Sequence, residues 1–356
     1  MAIEGVNKAV IYSDPPSIKT EVVELPIPKP GPGEVLVRLD FSGVCHTDYG
    51  ICTNGFETLP IPTPKGQIGG HEGVGKIVAH GDGVKQPPIG SLVGIKYAAS
   101  ACLNCDNCLE GGETTCSSGT ISGYLTPGTF QQYCLSPAIY ATPMPDNIDL
   151  AGAAPLMCGG ISVYAGLKRA KVQHGQWVVI CGAGGGLGHL AVQYAKVLGA
   201  RVLALDTGSK EEFCLGFNAD AFIDFTKYDT DAELAAAVKS VTKESAKIVL
   251  MCSSSNRAYN QAISFLGFRG TLVCLGVPEG PQLPIGGAKV ADLIGLELTI
   301  FANKSGNRAE AKECLDIAAR GLVKTHYQLR PMEDLTAIFE EMEAGHINGR
   351  IVLDLR

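Results

Sequence analysis

Basic residues are in short supply in this 356-residue chain: 29 lysines and arginines face 36 aspartates and glutamates, a net charge of -7. No Lys/Arg stripe supplies the positive field that a nucleic-acid surface needs, so nucleic acid is excluded as a partner and small molecules are expected. No stretch is apolar for the length of a membrane span, and the opening MAIEGVNKAV lacks the basic segment and apolar run of an export signal. The expectation is a cytoplasmic protein with no membrane partner. Charged residues make up only 18% against 46% hydrophobic, which leaves no disordered tail and enough apolar surface for a globular chain. There is no internal repeat. The length exceeds what one compact core usually holds, so two domains with a cleft between them are expected.

The pattern changes along the chain. From residue 7 to about 155, short alternating segments such as Glu34 to Phe41 are broken by Pro/Gly clusters, which reads as mostly β. From Trp177 onward, apolar strands alternate with helical stretches: 177–181, 202–205, 222–224, 247–252, 271–275 and 296–301. That alternation implies an α/β doubly wound parallel sheet. The tail predicts helices over 309–320 and 331–344 and a closing strand over 349–355, returning to the first domain.

Thirteen cysteines without an export signal are not expected to form a disulfide framework. Cys102, Cys105, Cys108 and Cys116 lie within fifteen residues, on a loop rich in Asn and Gly. Two short disulfides or four unrelated thiols are the alternative, but four thiolates at this spacing make a closed, structural zinc site. A second set is scattered: Cys45, His71 with Glu72, and Cys158. Two Cys and one His leave the fourth zinc position open, as catalytic sites do. Glycines beside each ligand (Gly69, Gly70, Gly73, Gly159, Gly160) permit turns that present the side chains. Glu72 is either a supporting group or an alternative ligand. Asp48 is the candidate acceptor for the other ring N–H of His71.

The strand ending at Cys181 runs into Gly182, Gly184, Gly185, Gly186, Leu187 and Gly188, then into a helix with apolar residues at Leu190, Ala191, Tyr194, Ala195 and Leu198. Strand, glycine turn and helix bring backbone N–H groups to a pyrophosphate. Read from Gly182 the spacing is G-x-x-G-x-x-G, one residue longer than the usual form. Asp206, eighteen residues after Gly188, closes the next strand and can accept both ribose hydroxyls, so NAD(H) is expected over NADP(H). Lys210 keeps NADP(H) tolerable.

Together these motifs resemble the zinc-dependent medium-chain alcohol dehydrogenases, most closely their fungal, yeast-type branch, over essentially the whole chain. Beyond the ligands, the likeness rests on Ser122 to Tyr124, Gly128 to Tyr133, Ala191 to Lys196, Phe222 to Lys227, Ala319 to Lys324, and Gly349 with Arg350. The resemblance implies a GroES-like catalytic domain over 1–156 carrying both zinc sites, a Rossmann cofactor domain over 157–300, and a return to the first over 301–356. It implies that Cys45, His71 and Cys158 hold a catalytic zinc and the four clustered cysteines a structural one. It also implies Thr47 as the hydroxyl that takes the substrate proton, His46 and Arg350 as cofactor phosphate contacts, and a homotetramer, with a dimer as the alternative. Two departures stand out. The branch places a histidine, the outer end of its proton relay, where this chain has Gly50. Its pocket tryptophans are absent: Tyr97 occupies one position, and the segment Thr53 to Pro64 is longer and different. A substrate bulkier than ethanol, of the kind a fungal specialised pathway handles, is expected. The rival readings are a zinc-free reductase and a non-catalytic member of the same fold.

Overall fold

The computed structural model describes residues 5–57, 59–244, 246–281 and 283–356. The start of the segment read above for an export signal lies outside them. The chain forms two compact units, Met1–Ile161 with Asn307–Gly321 and Thr325–Arg356, and Ser162–Gly306 with Leu322–Lys324.

The first unit is built on a seven-stranded sheet whose centre is the long strand Glu34–Val44. Val35, Val37 and Leu39 are fully buried in its core, the period-2 pattern that the alternating segment predicts. Gly73–His80 pairs antiparallel along one side of this strand, with Ser42 opposite Gly73. Arg350–Asp354 pairs antiparallel along the other, with Ile351 opposite Val44. The pairing therefore brings the end of one strand and the starts of two others to the same edge, where Cys45, His71, Glu72 and Arg350 emerge.

The second unit carries a six-stranded, wholly parallel sheet in the order Ala221–Asp224, Arg201–Asp206, Trp177–Cys181, Ala246–Met251, Thr271–Cys274, Thr299–Ala302. Counted along the chain this order is 3-2-1-4-5-6, the dinucleotide-binding arrangement, with its direction reversing beside Trp177–Cys181. Every residue of that central strand is buried.

Two details of the sequence reading are corrected. The strand expected from 296 begins only at Thr299, because Leu296 caps the preceding helix Val290–Gly295 and Glu297 turns with φ 50°. The helix expected from 331 is Leu335–Glu343; Tyr327–Pro331 is instead a strand at the sheet's edge, where a proline lacking an N–H is tolerated. Among the described residues no single helix is long and apolar enough to cross a membrane.

Candidate active site

Cys45 directly follows the long central strand and caps the short helix His46–Cys52. His71 and Glu72 lie just before the neighbouring strand, and Cys158 just before the helix Gly159–Arg169. One ligand atom from each of these four residues falls within 4.8 Å of all the others. His71, Glu72 and Asp48 have no solvent exposure.

Asp48 organises the cluster from beneath. Its Oδ1 lies 2.8 Å from His71 Nδ1, and its Oδ2 accepts the Cys45 backbone N–H at 2.9 Å. With Nδ1 facing Asp48, Nε2 is turned into the cluster, a buried atom with no hydrogen-bond partner. Such an orphan is costly unless something electrophilic meets it. Burial opposes a charged imidazole, but Asp48 and the Cys45 sulfur together outweigh it and raise His71 well above its ordinary pKa. The hydrogen bond between the two sulfurs lowers the Cys45 thiol and raises that of Cys158. A metal ion binds such sulfurs as thiolates, displacing their protons. Burial pushes the Glu72 carboxyl up to about 8, against the pull of Arg350. With the buried Asp48 carboxylate counted, two thiolates, Glu72, Arg350 and a divalent cation would sum to -1, against -3 without the cation. The residues present therefore fit a soft divalent ion.

Arg350 is turned inward. It is 5% exposed, and its Nη2 donates to both oxygens of Glu72. His46 and Thr47 occupy the first turn of their helix, both half-buried, with His46 stacked on Tyr49 at 5.4 Å between ring centroids. Tyr97 stands edge-on to His71 at 5.5 Å. Gly50 explains itself sterically: a Cβ there would lie 2.3 Å from Cε2 of Phe56, so the Phe56 ring fills the space that a side chain at position 50 would need.

The four clustered cysteines are all free thiols. Their sulfurs stand 4.0 Å apart for Cys102 and Cys108, 3.6 Å for Cys105 and Cys108, and 3.9 Å for Cys105 and Cys116. Four sulfurs placed tetrahedrally around zinc are separated by about 3.8 Å, given a zinc–sulfur bond of about 2.3 Å. This geometry is far from the disulfide alternative. No apolar side chain between residues 101 and 119 is buried. The loop is instead tied to the helix Arg308–Ala319: Glu113 accepts from Arg308 Nε at 3.0 Å and from the Arg308 backbone at 2.7 Å, and Asn307 Nδ2 donates to the Gly111 carbonyl at 3.1 Å.

In the second unit the glycine turn joins Trp177–Cys181 to the helix Gly188–Val197. At Gly188 a Cβ would lie 2.0 Å from the Gly182 carbonyl oxygen, so only glycine lets helix and strand approach this closely. Asp206 is held to the turn, its Oδ2 accepting from Gly184 N at 2.8 Å and its Oδ1 from Thr207 N at 2.7 Å. The aliphatic stem of Lys210 lies over Gly184, where a Cβ would meet Lys210 Cβ at 2.8 Å.

Sequence reasoning passed over the Glu113–Arg308 tie and the filling of the space at Gly50 by Phe56. Both are contacts between residues whose types carry no motif, and only the fold joins them.

The family model for the alcohol dehydrogenase GroES-like domain matches residues 31–146, and the model for zinc-binding dehydrogenases matches residues 186–320. The chain is 50% identical to "Alcohol dehydrogenase 2" of Emericella nidulans, over 98% of this chain and 97% of the relative. It is 42% identical to an alcohol dehydrogenase of Schizosaccharomyces pombe, over 97% and 95%. Among solved structures it resembles acetophenone reductase from Geotrichum candidum in complex with NAD, with TM-score 0.85 and 29% identity over 99% and 98% of the two chains. A cobalt- and zinc-bound thermostable alcohol dehydrogenase from Pyrobaculum aerophilum gives TM-score 0.83 and 27% identity over 98% and 100%.

Proposed function

The chain belongs to the zinc-binding, GroES-like alcohol dehydrogenases, oxidoreductases acting on CH–OH, and on that footing we propose that Cys45, His71 and Cys158 hold its catalytic zinc. The observation that carries this is the buried, unpartnered His71 Nε2 in a cluster whose ligand atoms all lie within 4.8 Å of one another. Cys102, Cys105, Cys108 and Cys116 hold the second, structural zinc. Zinc at the first site supplies Lewis acidity that makes the alcohol O–H acidic in oxidation and the carbonyl electrophilic in reduction. Thr47 takes the proton released from the alcohol. Asp48 fixes the His71 tautomer and orientation, and Arg350 balances Glu72, which stays within reach as a further ligand. The nicotinamide cofactor, when bound, would supply the hydride acceptor in oxidation and the hydride donor in reduction.

The cofactor is NAD(H), held through the turn from Gly182 to Gly188, with Asp206 reading the ribose and His46 contacting phosphate. Asp206 also braces Gly184, so its removal loosens the turn for both cofactors. The ratio of their efficiencies isolates the charge effect. Asp206→Gly is expected to shift kcat/KM for NAD over NADP by about tenfold or more toward NADP, since removing one like charge of about 1.4 kcal/mol is a tenfold change. An unchanged ratio would remove Asp206 as the ribose reader.

The family resemblance implies a pocket tryptophan where this chain has Tyr97. Tyr97 beside His71 is smaller than the indole it replaces, which favours an alcohol or aldehyde larger than ethanol. In a screen of aliphatic and aromatic alcohols, kcat/KM is expected to peak above two carbons; a clear preference for ethanol overturns this.

With Phe56 seated over Gly50, the proton leaving Thr47 takes another way out, through water or the cofactor ribose. Gly50→His is therefore expected to displace the ring at a cost of about 1–3 kcal/mol, without raising turnover. Thermal unfolding together with the pH profile of kcat checks this, and Gly50→His with Phe56→Ala should recover the lost stability. A stable single variant with faster turnover would contradict the steric account.

A further inference from the structure

We propose that His189 is a positioning residue that locks the peptide plane between Gly185 and Gly186, and thereby aims the edge of the turn that meets the dinucleotide pyrophosphate. The inference rests on the reading of this turn as the cofactor site. His189 follows Gly188 directly and has no solvent exposure. Its Nδ1 lies 3.0 Å from the Gly185 carbonyl oxygen, and its backbone N–H donates to that same oxygen at 3.1 Å. A ring nitrogen this close to a carbonyl carries the proton, so one residue gives the Gly185 oxygen two donors.

The peptide is planar, and its carbonyl and N–H point in opposite directions. Fixing the Gly185 oxygen against the helix therefore turns the Gly186 N–H away from it. Neither neighbour has a Cβ, so without a clamp this plane would rotate at little energetic cost. The clamp itself is held on two sides. Phe213 and Phe217 pack against the imidazole with ring centroids 6.0 and 5.6 Å away, and against each other at 5.0 Å. One turn further along the helix, Gln193 Nε2 donates to the His189 carbonyl and to the Lys324 carbonyl, each at 2.9 Å, while its Oε1 accepts the Lys324 N–H at 2.8 Å. A histidine kept only to fill apolar space would gain nothing from Nδ1, since burying a polar ring costs energy that only its hydrogen bonds return.

The test uses the zinc-loaded enzyme and two variants of equal shape, His189→Asn and His189→Leu, of which only the first can donate to Gly185. NADH dissociation constants are read from fluorescence titration and fold stability from thermal unfolding. His189→Asn should bind NADH nearly as the unaltered enzyme does, and His189→Leu about fivefold more weakly, the size of one lost hydrogen bond. For both, kcat at saturating cofactor should stay close to that of the unaltered enzyme. Equal NADH affinity for the two variants overturns the proposal alone. Failure of the unaltered enzyme to bind NADH overturns it together with the cofactor reading.

Discussion

His71→Ala is expected to lower kcat by about a thousandfold or more, because a Lewis acid contributes several kcal/mol to the barrier and each 1.36 kcal/mol is about tenfold. The size follows from how His71 sits. Its ring is the one nitrogen donor of the cluster, it is fully buried, and Asp48 has already oriented Nε2 toward the sulfurs. Removing it leaves two sulfurs that relax onto each other, a poor site for an ion. Metal analysis of the purified variant should fall from two zinc per chain to one. NADH binding should persist, because the glycine turn, Asp206 and their supporting sheet fold within the second unit. Full turnover in a His71→Ala preparation shown to lack the first zinc would remove the metal from the reaction.

Cys105→Ser is expected to have the largest effect on stability. The loop from 101 to 119 buries no apolar side chain, so sulfur–metal bonds replace the core it lacks. The ties to the neighbouring helix, Glu113 with Arg308 and Asn307 with Gly111, reach the far side of the loop, and Asn107 joins the segment from Cys102 to Cys108 to that side through the Thr115 carbonyl at 2.9 Å. With one thiolate gone, that loop should open to proteolysis between residues 101 and 119, and the thermal midpoint should fall by on the order of 10 °C. Zinc content should drop by one while freshly prepared enzyme still turns over. A protease-resistant Cys105→Ser protein with an unaltered midpoint would mean that the loop holds itself.

Much of this was written in local sequence. The strand at Trp177 to Cys181 reads correctly because it is a fully apolar run that ends on glycine, and Asn307 with Glu310 forms the capping box that starts the expected helix near 309. Cys105 and its partners read correctly because thiolate spacing within one loop is a local property. What escaped is set by pairing and packing. Tyr327 to Pro331 mixes exposed Gln328 and Leu329 with half-buried neighbours, and it becomes a strand only because Arg350–Asp354 is there to pair with it. Leu296 and Leu298 look like strand residues, but the turn at Glu297 overrides them. The inward turn of Arg350 onto Glu72 spans 278 residues of sequence and the Glu113–Arg308 tie spans 195. No local pattern announces either.

The most direct measurement is anomalous diffraction from crystals of the unaltered enzyme on both sides of the zinc absorption edge. Two zinc-specific peaks per chain are predicted, one amid the four clustered sulfurs and one about 2.0–2.3 Å from Cys45 Sγ, Cys158 Sγ and His71 Nε2. A single peak, at the four-sulfur loop alone in crystals of fully active enzyme, would contradict the account.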